Sequence, residues 1–231
     1  MASSWSSPEP VPPARLACFD LDNTLIDRQA AFAAWASDFC AARGLGEEAV
    51  AHLVRLDDDG FATREEVFGP AREALGLAEE TGALIGQYRA EYPRFVAPAA
   101  GAASELARLR AQSWRVALVT NGPVSQHDKL ARAGLATCFD AIVVSAEVGV
   151  EKPNRAIFVE AARRCGTSLE EAEVAFMVGD APATDVGGAW AAGMRTVWMR
   201  RGRRWPLRAL HPDHIADTVA EAVEAILGAA R

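Results

Sequence analysis

The chain has little with which to cross-link itself, cross a membrane or bind a polyanion. Its 231 residues include only four cysteines, at 18, 40, 138 and 165, and none has Cys-x-x-Cys spacing. That argues against a disulfide framework, and a reducing cytoplasm is the expected location. Cys18 and Cys138 lie in or beside apolar runs and are expected to be small buried hydrophobes. Lysine and arginine total 24 against 31 acidic residues, a formal charge of -7. This balance argues against a nucleic-acid partner, because phosphate backbones reward basic surfaces. No stretch reaches the ~20 apolar residues of a membrane span, so no membrane partner is expected. The four histidines show no metal-ligand spacing. The Ser- and Pro-rich start has neither the basic nor the apolar region of a secretory signal, and a disordered leader is expected over 1–14.

Half of the residues are hydrophobic, and at this length one or two domains with a true core are expected. Five short apolar runs stand out: Leu16–Phe19, Val116–Val119, Ala141–Val144, Val174–Val178 and Thr196–Met199. None alternates with polar residues, as suits strands of a parallel sheet covered on both faces. Helical stretches separate most of them, closed by Gly134, Gly166 and Gly193 as stop signals. The fold class this predicts is α/β, with a doubly wound, Rossmann-like parallel sheet. One interval breaks the rhythm. Between the first two runs, four helical patterns fill 28–95, and no strand pattern appears. The expectation is a core built from 15–27 and 96–231, with a mostly helical cap over 28–95 and hinges near Asp27 and Pro98. Phe32, Trp35 and Phe39 recur at helical spacing and should form the core of that cap.

Polar residues follow the runs. After the first come Asp20, Asp22 and Thr24; after the second, Thr120, Asn121 and Gly122. After the third, across a loop, come Glu151, Lys152 and Pro153, and after the fourth comes G-D-A-P-A-T-D with Asp180 and Asp185. Open α/β sheets bind ligands outside the carboxyl ends of their strands. Asp20 and Asp22 together are costly: two carboxylates about 4 Å apart repel by ~4 kcal/mol at an effective dielectric of about 20. A divalent cation near Lys152 offsets that repulsion. Oxygen ligands from a few carboxylates suit Mg²⁺.

Each motif alone can be an ordinary turn or helix cap. Taken in order, they resemble the four motifs of haloacid-dehalogenase (HAD) superfamily phosphatases: F-D-L-D-N-T-L, V-T-N-G, E-K-P-N and G-D-A-P-A-T-D. The helical interval falls where capped members of that family carry theirs. The resemblance implies that Asp20 is the nucleophile, forming an aspartyl-phosphate, and that Asp22 is the general acid and base. It implies that Asp20, Asp180, Asp185 and the backbone carbonyl of Asp22 surround Mg²⁺, with Asp185 a direct or an outer ligand. Thr120 and the amide of Asn121 would bind the phosphoryl oxygens, and Lys152 would neutralise charge. Arg28 and Arg64 are candidates to meet a second anionic group of the substrate. The substrate implied is a small phosphorylated metabolite, and the protein a monomer or homodimer. Dehalogenases of the superfamily lack the second aspartate, so Asp22 favours phosphate esters. Phosphoglucomutase-like transfer, dehalogenation and a phospho-accepting signalling domain are the alternatives. Three further stretches are expected to be solvated loops: the acidic run Asp57–Asp59, R-R-G-R-R-W from Arg200, and His211–His214.

Overall fold

The computed structural model describes residues 14–229. The expected leader lies outside them except for Ala14, whose carbonyl accepts from Glu173 N at 2.9 Å. Strand β1 spans Arg15–Phe19. Four helices follow it: α1 Arg28–Ala41, α2 Glu47–Asp57, α3 Arg64–Ala74 and α4 Thr81–Glu91. Then come α5 Ala102–Ala111, β2 Trp114–Thr120, α6 Gln126–Arg132, β3 Ala141–Val144, α7 Ser145–Val148 and α8 Arg155–Arg164. The chain ends with β4 Val174–Gly179, α9 Gly188–Ala191, β5 Arg195–Met199, β6 His214–Ala216 and α10 Val219–Ala229.

The six strands form one parallel sheet in the order β3-β2-β1-β4-β5-β6. The order reverses at β1, so the edge beyond Phe19 is the switch-point crevice of the sheet. The register places Phe19 opposite both Leu118 of β2 and Val178 of β4. Alternation splits β1 between two cores. Ala17 and Phe19 join the cluster that also holds the insertion, and Leu16 and Cys18 join one with Ile157, Phe158 and Met177 from α8 and β4. A strand buried on both faces reads as a continuous apolar run.

Five strands fall on the five apolar runs. The sixth, β6, was not foreseen; it starts at His214, the last residue of the expected loop His211–His214. Its run, His-Ile-Ala, is too short and too polar at one end to show periodicity. Asp213 secures it by accepting from Thr196 N and Oγ1, each at 2.8 Å. The helical stretch expected before Gly193 begins as a π-helical turn, Pro182–Gly187, and continues into α9.

Local chemistry explains how the helices between β1 and β2 begin. Asp27 caps α1 by accepting from Ala30 N at 3.0 Å, and Thr63 and Glu66 form a reciprocal capping box at α3. Phe32, Trp35 and Phe39 are buried together, and Trp35 meets Phe68 and Tyr88 edge-on at centroid distances of 5.6 and 5.0 Å. Each such ring contributes about 2–3 kcal/mol through burial. The chain enters and leaves this helical segment side by side: Ile26 bridges Pro98, and Ala99 N donates to Leu25 O at 2.8 Å. Among the described residues, no helix is long and apolar enough to cross a membrane.

Candidate active site

Four strands deliver the sequence-predicted residues to one edge. Asp20 leaves β1 with its N–H on Val178 O at 2.9 Å, which ties the turn to β4. Lys152, arriving after β3, is buried among three oxygens. Asp20 Oδ1 lies at 2.6 Å, Val119 O at 2.8 Å and Asp185 Oδ1 at 2.7 Å. Asn121 fixes the backbone behind it. Its Nδ2 donates to Lys152 O at 2.9 Å, and its Oδ1 accepts from Lys152 N at 2.8 Å. Thr120 Oγ1 is buried and accepts from Gln126 Nε2 at 2.7 Å.

Asp20, Asp180 and Asp185 each offer a carboxylate oxygen, and the three oxygens lie within 4.8 Å of one another. Asp185 is anchored through Oδ2, which accepts from Ala181 N at 3.0 Å. Its carboxylate rests on Gly179, where an added Cβ would come within 2.3 Å of Oδ2. Glycine is therefore required there for the carboxylate to seat. Asp185 Oδ1 is near Lys152 in charge but makes no aligned hydrogen bond.

The electrostatics follow from this crowding. Burial pushes Asp20 well above the usual carboxylate range; Lys152 opposes the shift, and Asp185 and Asp180 add to it. Asp180 is pushed up to about 7 by burial and by Asp185, against the pull of Arg203 and Arg201. Burial works to lower Lys152, but Asp185 and Asp20 override it and hold the ammonium charged. Asp20 and Asp185 share Lys152, Asp180 meets Arg203, and burial with mutual repulsion still drives Asp20 and Asp180 upward. An all-oxygen, anionic donor set with an unbonded buried oxygen fits a hard divalent cation such as Mg²⁺.

Asp22 behaves differently. Burial alone would raise it, but Lys129, Gln126 and Arg28 overrule burial and lower it. Lys129 Nζ lies 2.8 and 2.7 Å from the two carboxylate oxygens, and Gln126 Nε2 donates to Oδ2 at 3.0 Å. Both partners sit on α6, and sequence reading missed both. Their only signal was an amide and an amine three residues apart just after T-N-G.

Two expected loops prove to be structural. Asp57 is buried, not solvated, and both guanidiniums expected to face substrate converge on it. Arg28 Nη1 and Nη2 donate to its two oxygens at 2.5 and 2.6 Å, and Arg64 Nη1 lies 3.0 Å from Oδ1. A carboxylate in the protein interior needs such partners, and two arginines supply them. The basic stretch after β5 turns inward as well. Arg201 Nη1 meets Asp59 Oδ2 at 2.7 Å, and Arg203 Nη2 donates to Asp180 Oδ2 at 3.0 Å. Asp59 also receives Asn23 Nδ2, through its backbone O at 3.1 Å and its Oδ1 at 3.2 Å. A cavity of about 250 Å³ opens over Asp20, Asp22, Thr120, Lys152, Asp180 and Asp185, with Arg28, Asp59 and Phe61 on its other wall.

Residues 14–193 match the family of haloacid dehalogenase-like hydrolases. The chain belongs to that family. Among its relatives is a glyceraldehyde 3-phosphate phosphatase of Methanopyrus kandleri, 43% identical over 113 residues, 48% of this chain and 47% of that one. Another is a phosphoserine phosphatase of Thermus thermophilus, 42% identical over 146 residues, 61% of this chain and 56% of that one. The chain thus spans about half the length of these two. A phosphoglycolate phosphatase of Cereibacter sphaeroides is 32% identical over 209 residues, 85% of this hydrolase and 89% of that enzyme. Of solved structures, a HAD hydrolase of Bacillus subtilis bound to magnesium is 25% identical with a TM-score of 0.69, covering 93% and 99% of the two chains. A 2-haloacid dehalogenase of Pseudomonas syringae is 26% identical with a TM-score of 0.59, covering 94% and 100%. Both chemistries therefore stand on this fold, and the residues at the edge must separate them.

Proposed function

We propose that this hydrolase is a Mg²⁺-dependent phosphatase acting on a small phosphomonoester through a covalent aspartyl-phosphate. The observation that carries the reading is Lys152 Nζ set 2.6 Å from Asp20 and 2.7 Å from Asp185, inside a buried carboxylate triad at the switch point of the sheet. The named phosphatases among its relatives support it.

In this reading an Asp20 oxygen attacks phosphorus, and the bond from phosphorus to the ester oxygen breaks. Lys129 and Gln126 hold Asp22 ionised at rest, so the reacting form is the one in which Asp22 has taken up a proton; it gives that proton to the departing oxygen and returns to the carboxylate. Water then attacks the phosphorus of the aspartyl-phosphate. Asp22 takes one of its protons, and Asp20 is released with inorganic phosphate. Lys152 holds Asp20 in line and balances charge on the transferring group. Thr120 and Asn121 border the phosphoryl position. Asp20, Asp180, Asp185 and the carbonyl of Asp22 would hold Mg²⁺, which supplies charge neutralisation for the phosphoryl oxygens.

Asp22 is the feature that favours phosphate esters over carbon–halogen bonds. Its carboxylate lies beside Asp20 on the cavity wall, where a leaving oxygen needs a proton and a leaving halide would not. The helices between β1 and β2 serve as a cap that limits water over the cavity. The test is phosphate release from p-nitrophenyl phosphate, with and without Mg²⁺, by wild type and Asp20→Asn. Turnover by wild type with Mg²⁺ and its loss in the variant are expected. Wild-type rates from Asp20→Asn would overturn the covalent step, and a chain phosphorylated once without turnover would point to signalling.

A further inference from the structure

The basic groups around the cavity are already committed. Among the described residues, Arg28 and Lys152 are the basic ones that line it. Lys152 donates to Asp20 and to Val119 O and is ion-paired with Asp185. Both Nη groups of Arg28 bond Asp57, and Gly60 lies flush on the guanidinium, where an added Cβ would sit 2.6 Å from Cζ. The cations one step behind are paired too: Arg64 with Asp57, Lys129 with both oxygens of Asp22, Arg201 with Asp59 and Arg203 with Asp180.

With every carboxylate ionised, as metal binding requires, the network taken over both walls balances. Asp20, Asp22, Asp57, Asp59, Asp180 and Asp185 set six negative charges against the six positive charges of these lysines and arginines. A divalent cation and a phosphate dianion bring equal and opposite charge, so the balance survives their binding. A further carboxylate on the substrate would enter a partly desolvated space where, among the described residues, every lining cation is already paired, and such a charge is costly. The wall it would approach presents Asp59 and an exposed phenyl ring, Phe61.

We infer that the part of the substrate beyond its phosphate carries no anionic group: the site is built for phosphomonoesters of uncharged alcohols and discriminates against phosphorylated carboxylic acids. This rests on the phosphatase reading above and narrows it, since relatives of the chain include enzymes named for substrates of both kinds.

The test uses matched pairs with wild-type enzyme and Mg²⁺: 2-hydroxyethyl phosphate against 2-phosphoglycolate, and glycerol 3-phosphate against 3-phosphoglycerate. The expected kcat/KM favours the uncharged member of each pair by at least about tenfold. Asp59→Asn, which releases Arg201, should narrow that ratio several-fold within the one variant. Binding of 3-hydroxypropylphosphonate and 3-phosphonopropionate, by calorimetry, reads the same preference without turnover. Equal or better use of the carboxylates, or equal or tighter binding of the carboxylate phosphonate, overturns the inference and leaves the phosphatase reading standing. Failure to hydrolyse any ester, p-nitrophenyl phosphate included, sinks the phosphatase reading. In that event the phosphonate pair still decides the charge preference, and binding of neither overturns it.

Discussion

The carboxyl edge of the sheet and the helical segment inserted after β1 both bury aspartates, and they do so with opposite charge balance. At the edge, Asp20 and Asp185 share Lys152 and Asp180 meets Arg203, yet burial and mutual repulsion drive Asp20 and Asp180 above their ordinary range. In the insertion, one buried aspartate, Asp57, sits between two arginines. The first arrangement is unstable by itself and invites a cation. The second is self-sufficient and ties α1, the end of α2 and the start of α3 together. Buried charge thus marks a site only where its partners are too few. Where they are ample, it marks architecture.

The largest effect that sharpens this contrast is on turnover. Asp20→Asn should lower kcat on an aryl phosphate by at least ~10³-fold while leaving the circular-dichroism spectrum and melting cooperativity unchanged. Asp57→Asn should do the reverse. Leaving Arg28 and Arg64 without a charged partner should cost roughly 3–5 kcal/mol, seen as a lower denaturation midpoint. If Asp57→Asn were neutral in stability, the contrast between the two regions would fail.

Asp180→Asn, the same chemical change at the edge, should have the opposite sign in metal-free protein: it removes a repelling charge and raises the melting temperature. The pH dependence follows from the same group. Asp180 rises from an ordinary 3.8 to about 7 in the folded protein, so the folded state holds more protons than the unfolded one between these values. Metal-free stability should therefore fall as pH rises through that window. Added MgCl₂ should raise the melting temperature more at about pH 7.5 than at about pH 5.5, because ligands must be deprotonated to bind. An equal shift at both would count against the carboxylate triad as the binding site.

Lys129→Met should be milder. Without its bidentate ammonium, Asp22 rises toward neutrality, and kcat should change by roughly ten- to a hundredfold as its acid limb moves to higher pH. An unchanged pH profile would reduce Lys129 to a surface contact. The smallest expected effect is Gly60→Ala. Its Cβ would meet the Arg28 guanidinium at a residue with φ of +93°, costing about 1–2 kcal/mol in a denaturant titration.

Much of this was legible in one dimension. Strands buried on both faces leave unbroken apolar runs, so β1 to β5 could be read off the chain, as could the polar residues that leave their ends. Helix caps and stop glycines marked the insertion because they act within a few residues. The pairings across long separations were not legible. Arg201 lies 142 positions from Asp59, and Lys129 lies 107 from Asp22. The basic stretch after β5 and the acidic run at Asp57 each looked like a solvated loop because each was read without the other.

By itself, the sequence determined the periodicity, the succession of the first five strands along the chain and the polar residues that follow them, because hydrophobic patterning, capping and turn chemistry are local. Only the tertiary structure decided how charge is distributed there. Coulomb and desolvation energies depend on distance in space, and folding alone brought Lys129 to Asp22, two arginines to Asp57 and two more to Asp59 and Asp180.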